Sequence, residues 1–134
     1  HVPSNTQTHH LISKKNIHLI KKGAILINTS RGSVVESGAL LEALDNGILS
    51  GAGLDVIEGE DLIKEEKQIL HEAKNTRALH KLAKDHLILQ KDNVVFTPHI
   101  AFFSQEALER ILETTLQNIE SFAQKKIINQ VVFV

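Results

Sequence analysis

The chain has 134 residues, 42% of them hydrophobic and 23% charged, with 15 basic against 16 acidic side chains and a formal net charge of −1. This composition is typical of one ordinary folded domain and excludes a disordered chain. No apolar run approaches the roughly 20 residues that cross a bilayer, and the balanced charge offers no basic surface to nucleic acid or anionic lipid. We therefore expect the partner to be a small molecule or a protein.

Cysteine and methionine are both absent from the sequence. Without cysteine there is no disulfide, thiolate zinc site or thiol nucleophile, and a cytoplasmic location is expected. A translated chain starts with methionine, whereas this one starts with His1. We therefore interpret the sequence as a piece of a longer protein.

Short apolar runs alternate with segments of helical periodicity in the first half of the chain. A helix is predicted from Ser13 to Gly23, followed by a strand at 23–28 whose continuous apolar run is typical of burial on both faces. A second helix is predicted from a Ser37 N-cap to a stop at Gly47. Its apolar positions, spaced by three and four, are Leu40, Leu41, Leu44 and Ile48.

The same alternation continues in the second half. A short strand is predicted at 51–56, one or two surface helices within 61–92, and a third strand at 94–96. Ser104 is predicted to cap the longest helix, and the apolar tail 131–134 is expected to need a partner. The predicted buried stripe of that helix is Ala107, Leu108, Ile111, Leu112, Leu116, Ile119 and Phe122.

Strands that alternate with helices indicate an α/β fold with a doubly wound parallel sheet and helices on both faces. In such folds, ligands bind beyond the carboxyl ends of the strands. The residues that follow the predicted strands, 28–32, 55–60 and 97–101, are therefore the candidate site.

Arginine, carboxylate and histidine side chains follow these three strands as Arg31, Glu60 and His99. Arg31 can donate two parallel hydrogen bonds to a carboxylate. His99 is a natural acid, and a neighbouring Glu60 would favour its imidazolium form. With a hydride from a cofactor, these groups would suit the reduction of a 2-oxo acid. The structural alternative is that a strand-end Arg or Glu is solvated and that a single His is a hydrogen-bonded loop residue.

Three motifs occur in one order along the chain: Ile-Asn-Thr-Ser-Arg-Gly at 27–32, Gly-Ala-Gly-Leu-Asp-Val-x-x-x-Glu at 51–60 and Thr-Pro-His-Ile-Ala at 97–101. Together with His-Val-Pro at 1–3, they resemble the D-isomer-specific 2-hydroxyacid dehydrogenases. The resemblance implies a Rossmann-type fold and an NAD-dependent oxidoreductase that interconverts a 2-oxo acid and a D-2-hydroxy acid.

The resemblance also implies roles for individual residues. Arg31 would bind the substrate carboxylate, His99 would be the general acid and base, and Glu60 would hold and charge that histidine. Asp55 would meet the nicotinamide carboxamide. The other cofactor-binding positions would be Val2, Pro3, Thr8, Thr29, Ser30, the backbone at Arg31, and Ala101.

The residues around the histidine motif bear on the substrate. Phe102 and Phe103 resemble the aromatic pair of the D-lactate and D-hydroxyisocaproate branch, whereas the phosphoglycerate and glycerate branches tend to have small residues there. The pair Glu60-Asp61 also resembles the first branch, and Glu60 differs from the glutamine of the similar formate dehydrogenases. We therefore expect pyruvate and D-lactate as substrates, with Phe102 and Phe103 in the substrate pocket.

The resemblance divides the chain into three parts. Residues 1–103 would be the C-terminal part of the NAD-binding domain, 104–123 a connecting helix, and 124–134 a tail belonging to a mostly missing substrate domain. In the family, the glycine-rich phosphate loop and the acidic ribose-binding residue precede His-Val-Pro. We therefore expect this chain alone to be inactive and the complete protein to form a homodimer.

The residues also allow three alternatives: a hydrolase, a metal-binding protein and a non-catalytic binding protein. A hydrolase triad of Ser30, His99 and Asp55 lacks the glycine flanks of a G-x-S-x-G turn. No histidine pair has the i, i+4 spacing of a helical metal site, and His9-His10 is predicted to be a solvated loop. A non-catalytic, NAD-binding corepressor-like protein of the same fold could retain Arg31, Glu60 and His99, and turnover by the complete protein distinguishes it from an enzyme.

Overall fold

The computed structural model describes residues 2–60 and 76–131, which contain a parallel sheet and several helices. The strands are β1 (Ala24–Asn28), β2 (Leu49–Leu54) and β3 (Val94–Phe96), in the sheet order β1-β2-β3. The helices are α1 (Ser37–Asp45), α2 (Thr76–Leu89) and α3 (Gln105–Ala123), with short 3-10 turns at Ile17–Leu19 and Gly32–Val34. The predicted parallel α/β fold is confirmed. None of the helices in these residues is long and apolar enough to cross a membrane.

The chain divides into two compact units, residues 1–99 and residues 100–134. The first unit contains the sheet, α1 and α2, and the second contains α3. The further division of the chain into a cofactor domain, a connecting helix and a tail of a substrate domain stays a prediction.

The three strands end in register. Asn28 is paired with Leu54, and Leu54 with Phe96, so the last residue of each strand lies beside the last residue of its neighbour. Because the strands are parallel, the segments after them leave from one edge of the sheet. This edge carries the candidate site.

The core lies between one face of the sheet and the two helices of the first unit. Leu26 of β1, Leu49 and Leu54 of β2, Leu40 of α1 and Ile88 of α2 are all buried in one cluster. Burial of each such side chain stabilises the fold by about 1.5–3 kcal/mol.

The opposite face of the sheet is exposed in the described residues. Successive side chains along a strand point to opposite faces. On this face, Ile25 and Ile27 of β1 are 68% and 73% exposed, and Val95 of β3 is mostly exposed as well. The prediction that the apolar run at 23–28 is buried on both faces is therefore wrong for this part of the chain.

The helix predicted between Ser13 and Gly23 is also wrong, because only the 3-10 turn Ile17–Leu19 forms there. The side chain of Asn16 explains this outcome. Its Oδ1 accepts a hydrogen bond from the Ser13 N–H at 2.9 Å, and its Nδ2 donates to the Leu11 carbonyl at 2.8 Å. Such local side-chain bonds compete with the helical hydrogen-bond pattern.

Helix α1 ends as predicted but begins differently. Gly47 takes a φ of 67° just after the helix, the left-handed conformation that glycine favours. At the other end, Ser37 is the first helical residue rather than the N-cap. Its hydroxyl donates to Asp85 Oδ1 at 2.5 Å, and its N–H donates to the Glu58 carboxylate at 3.0 Å. The distant Glu58 carboxylate thus satisfies one of the unpaired N–H groups at the start of the helix, where no local side chain caps it.

Within the predicted helical stretch 61–92, α2 is confirmed at Thr76–Leu89, and residues 61–75 lie outside the described residues. The helix is predicted to lie on the surface, but one of its faces packs against the core. Its buried residues, at helical spacing, are Ala78, Leu82, Asp85 and Ile88.

Helix α3 begins as predicted, because Ser104 Oγ accepts a hydrogen bond from the Ala107 N–H at 3.2 Å. Its predicted buried stripe is nevertheless exposed. The apolar side chains that point to solvent are Leu108, Ile111, Leu112, Leu116, Ile119 and Phe122. Periodicity identifies the apolar side of a helix, but nothing in the described part of the second unit covers this side. Val131, the only residue of the predicted tail that the structure describes, is exposed as well.

Gly32 allows a close approach of two loops. A Cβ at this position would overlap the carbonyl oxygen of Ile57, which is backbone and cannot rotate away. We expect Gly32→Ala to lower the free energy of unfolding by about 1–3 kcal/mol, the usual cost of overpacking. Urea denaturation of the protein measures this change.

Gly38→Ala is the matched control. Gly38 is the second residue of α1, and the atom nearest to an added Cβ is Lys84 Nζ at 3.5 Å, an ordinary contact. Because alanine favours helix over glycine by about 0.5–1 kcal/mol, this variant should be as stable as the parent or more so. Equal stability of the two variants would contradict the close approach at Gly32.

Asp85 is a fully buried carboxyl group within α2. Burial raises the pKa of Asp85 above its ordinary value of 3.8 and outweighs the hydrogen bond from Ser37, which lowers it. As pH rises through 3.8, the unfolded chain therefore loses this proton while the folded protein keeps it. The contribution of Asp85 to the free energy of unfolding therefore decreases as pH rises, until pH passes the pKa of Asp85 in the folded protein.

Asp85→Asn removes the titrating group and nearly keeps its shape. We expect the variant to become more stable relative to the parent as pH rises from about 4 to about 7, because only the parent must ionise a buried group. The Tm of the variant minus the Tm of the parent should therefore increase over this range. Thermal unfolding followed by circular dichroism at several pH values measures this difference. A difference that is constant or decreases over this range would show that burial does not control Asp85.

Candidate functional site

The edge where the strands end contains a cleft of about 320 Å³. Arg31, Glu60 and His99 all line this cleft, so the structure brings together the three residues that the sequence singled out. The rest of the lining comes from Ser4, Gly32, Ser33, Val56, Ile57 and Glu58.

The turn that carries Arg31 is shaped by the buried side chain of Asn28. Asn28 Nδ2 donates to the Arg31 carbonyl at 3.1 Å, while its Oδ1 accepts from the Ser30 N–H at 3.1 Å and the Ser30 hydroxyl at 2.9 Å. The exposed Arg31 side chain donates from Nη1 to the Ser30 carbonyl at 2.7 Å. A guanidinium has five N–H donors in a planar fork, so this bond is compatible with binding a carboxylate.

His99 is held in an uncommon backbone conformation. Its φ is 57°, in the left-handed region that costs a non-glycine residue about 1–3 kcal/mol. Its N–H donates to the carbonyl oxygens of Asp55 and Thr97, both at 2.9 Å. These bonds hold the histidine backbone against the loop that follows β2.

Glu60 and His99 face each other across the cleft, with Glu60 Oε2 4.0 Å from His99 Nδ1. This separation is longer than a direct hydrogen bond of about 2.7–3.2 Å, but it is close enough for attraction when the imidazole is protonated. The Glu60 side chain is 22% exposed and that of His99 44%, so water screens the pair only in part. Contacts of this kind are often longer without substrate than with it.

Asp55 is buried and links the loops that follow all three strands. Its N–H donates to the Asn28 carbonyl at 2.9 Å, its carbonyl accepts from His99, and its Oδ1 accepts from the Thr97 hydroxyl at 2.5 Å. Thr97 is not among the predicted site residues. The predicted contact of Asp55 with a nicotinamide stays a prediction.

The N-terminal segment reaches the same region. Val2 packs against the core, and the Thr8 hydroxyl donates to the Pro3 carbonyl at 2.5 Å. The hydroxyls of Ser4 and Ser33 are 2.8 Å apart and join this segment to the turn after Arg31. Ser4 was missed, although it directly follows Pro3. The cofactor roles of Val2, Pro3, Thr8, Thr29 and Ser30 stay predictions.

Ala101, Phe102 and Phe103 belong to the second compact unit and are exposed there. The two phenylalanine rings meet edge to face, with centroids 6.2 Å apart. Their assignment to a cofactor site and a substrate pocket stays a prediction.

The hydrolase triad receives no support from the geometry. The Ser30 hydroxyl donates to Asn28, the Asp55 carboxylate accepts from Thr97, and His99 Nδ1 faces Glu60. A nucleophilic triad needs the serine, histidine and aspartate to contact one another.

Glu58 is the charged residue of this region that sequence reasoning missed. Its Oε1 lies 2.8 Å from His10 Nε2 and 3.3 Å from Lys81 Nζ, and its Oε2 accepts from the Ser37 N–H. Burial by itself would raise the pKa of Glu58. The bonds from Ser37 and His10 and the charge of Lys81 outweigh burial and hold that pKa below its ordinary value.

The contact with Glu58 also corrects the interpretation of His9-His10 as a solvated loop, because His10 is partly buried and bonded. His9 stacks on it with ring centroids 4.0 Å apart. Within residues 2–60 and 76–131, no group of three or more His, Asp or Glu side chains is arranged to hold a metal ion.

Comparison with known proteins identifies the family. A sequence model described as the NAD-binding domain of D-isomer-specific 2-hydroxyacid dehydrogenases matches residues 1–101. The D-specific alpha-keto acid dehydrogenase of Enterococcus faecium is 38% identical over 129 residues, covering 94% of this chain and 37% of that protein. The glyoxylate reductase of Thermococcus litoralis is 41% identical over 127 residues, covering 95% of this chain and 32% of that protein.

A solved structure gives the same result. A D-lactate dehydrogenase from Aquifex aeolicus, complexed with NAD and lactic acid, matches with a TM-score of 0.73 and 42% identity. The match covers 93% of this chain and 36% of that one, so the present chain spans roughly a third of the length of these relatives. The resemblance inferred from the three motifs is confirmed: the chain belongs to the D-isomer-specific 2-hydroxyacid dehydrogenases, and residues 1–101 are part of the NAD-binding domain of that family.

Proposed function

We propose that the complete protein is an NAD-dependent dehydrogenase that interconverts a 2-oxo acid and a D-2-hydroxy acid. The observation that carries this proposal is the convergence of Arg31, Glu60 and His99 on one cleft at the carboxyl edge of the sheet. That edge is where dinucleotides bind in doubly wound folds. Thr29 and Ser30 precede Arg31 in the turn held by Asn28, and their polar groups would suit the nicotinamide end of such a cofactor.

Each of the three residues has a distinct role in this proposal. Arg31 binds the substrate carboxylate through its planar fork. His99 donates a proton to the carbonyl oxygen during reduction and takes it back during oxidation. Glu60 stabilises the imidazolium form of His99. The nicotinamide cofactor supplies or accepts the hydride when it is bound.

Pyruvate and D-lactate are the proposed substrate pair. Support comes from the similarity to the D-lactate dehydrogenase complexed with lactic acid and from the aromatic pair Phe102 and Phe103. A glyoxylate reductase is also among the relatives, and glyoxylate is a smaller 2-oxo acid than pyruvate. The homodimer and the cytoplasmic location stay predictions.

Arg31→Lys in the complete protein tests the carboxylate-binding role. An ammonium group cannot reproduce two parallel hydrogen bonds from one plane. We expect kcat/KM for pyruvate to fall by roughly ten- to hundredfold, the cost of one charged hydrogen bond, while the Kd for NADH changes little. Steady-state kinetics and fluorescence titration of NADH measure the two quantities.

Arg110→Lys is the control, because it makes the same exchange on the exposed surface of α3. It should behave as the parent does. Parent-like kcat/KM in Arg31→Lys would remove Arg31 from the proposed role. A parent protein that binds NADH but reduces no 2-oxo acid would support the non-catalytic, corepressor-like function instead.

The pH profile tests the pairing of Glu60 with His99. Pyruvate reduction needs the protonated imidazole, so activity should fall as pH rises and the imidazolium loses its proton. Glu60→Gln keeps the shape but removes the negative charge, so the fall should begin at lower pH. His99→Gln should lower kcat by about a hundredfold to ten-thousandfold because the acid itself is removed.

Glu42→Gln controls for the loss of a carboxylate as such. Glu42 is an exposed residue of α1 whose Oε2 lies 3.0 Å from Lys14 Nζ, and its replacement should leave the profile unchanged. Superimposable profiles for the parent and Glu60→Gln would show that Glu60 does not act on His99.

A further inference from the structure

The loop formed by residues 55–60 carries two of the predicted site residues, Asp55 and Glu60. Glu60 can act on His99 only if this loop holds it at the right place, because attraction and proton transfer both depend on distance. The loop begins in register with the sheet at Asp55, but Glu60 is five residues further along. What fixes the later part of the loop therefore matters for the site.

Close packing constrains the loop on two sides. A Cβ at Gly32 would overlap the Ile57 carbonyl oxygen and lie 2.8 Å from the Glu58 nitrogen. A Cβ at Gly59 would overlap the Asp85 carboxylate of α2. The backbone at 57–59 thus lies directly against the turn after Arg31 on one side and against α2 on the other.

Glu58 adds specific polar contacts at the centre of this stretch. Its carboxylate contacts three separate segments: His10 of the N-terminal segment, the Ser37 N–H of α1, and Lys81 of α2. Asp85 also faces this region from α2, and its carboxyl accepts from the Ser37 hydroxyl. The Glu58 side chain therefore ties the loop to the N-terminal segment, α1 and α2 at once.

We propose that Glu58 is a positioning residue for Glu60. By accepting hydrogen bonds from His10 and the Ser37 N–H and forming an ion pair with Lys81, its carboxylate fixes the loop so that Glu60 faces His99 across the cleft. Glu58 acts through Glu60 and transfers no proton itself. This inference rests on the function proposed above.

A carboxylate is required for this task, and an amide of the same size is not equivalent. All three partners of Glu58 are donors, and they approach both carboxylate oxygens. In Glu58→Gln, the amide NH₂ must face at least one of these donors, whichever way it is turned. The substitution therefore breaks a partly buried contact while keeping the volume of the side chain.

Glu58→Gln in the complete protein is the test. We expect kcat for pyruvate reduction to fall by about ten- to hundredfold, the effect of a displacement of about 1 Å at a catalytic group, with little change in the KM for NADH. The fall of activity with pH should begin at lower pH, in the same direction as in Glu60→Gln. In the double variant, Glu58→Gln should add no further shift, because the group through which it acts is gone. Glu42→Gln is again the control.

The outcomes separate this inference from the proposed function. If Glu60→Gln leaves the pH profile unchanged, the proposed pairing with His99 fails. If Glu60→Gln shifts the profile but Glu58→Gln lowers only the Tm, with parent-like kcat and pH profile, Glu58 is a structural residue and the inference is overturned.

If Glu58→Gln does not fold, the variant Lys81→Met provides the test instead. It removes one of the three partners, and a smaller shift of the same sign is expected, whereas an unchanged profile overturns the inference.

Discussion

Three parallel strands end side by side at Asn28, Leu54 and Phe96, and the hydrogen bonding continues just beyond them. The Asp55 N–H donates to Asn28 and the Thr97 N–H donates to Leu54, both at 2.9 Å, before the chain leaves the sheet. These backbone bonds help to fix the three following segments relative to one another. This alignment brings residues that are far apart in the sequence to one cleft.

Polar groups that are buried beside this edge hold the loops in place. The buried polar side chains among the described residues are Asn28, Ser37, Asp55 and Asp85. Asn28 shapes the turn of Arg31, Asp55 binds Thr97 just before His99, and Ser37 joins Asp85 to the start of α1. Because a buried polar group without a partner costs about 1–3 kcal/mol, each of these contacts favours one loop conformation over others.

The sequence predicted those features whose determinants are local. Apolar runs located the strands, Gly47 located the end of α1, and Ser104 located the start of α3. It failed where the determinants are distant or hidden. The partners of Glu58 lie 21 residues away at Ser37 and 48 at His10, so beside Glu60 it looks like one more solvated acid. Likewise, the apolar spacing of α3 predicts which side could be buried, but not what covers it.

The contacts that Glu58 makes with His10, Ser37 and Lys81 also affect the charge of the cleft, in addition to holding the loop in place. Glu58 lines the same cleft as Arg31 and Glu60, and the proposed substrate is an anion. If Glu58 had no partners, its carboxylate would repel that anion and oppose the attraction of Arg31, an effect that is strong where water is partly excluded. Lys81 offsets the charge of Glu58, and His10 and the Ser37 N–H share its carboxylate by hydrogen bonding. The loop can therefore bring a carboxylate to His99 without making the whole cleft negative, which is the electrostatic condition for binding a 2-oxo acid beside a glutamate.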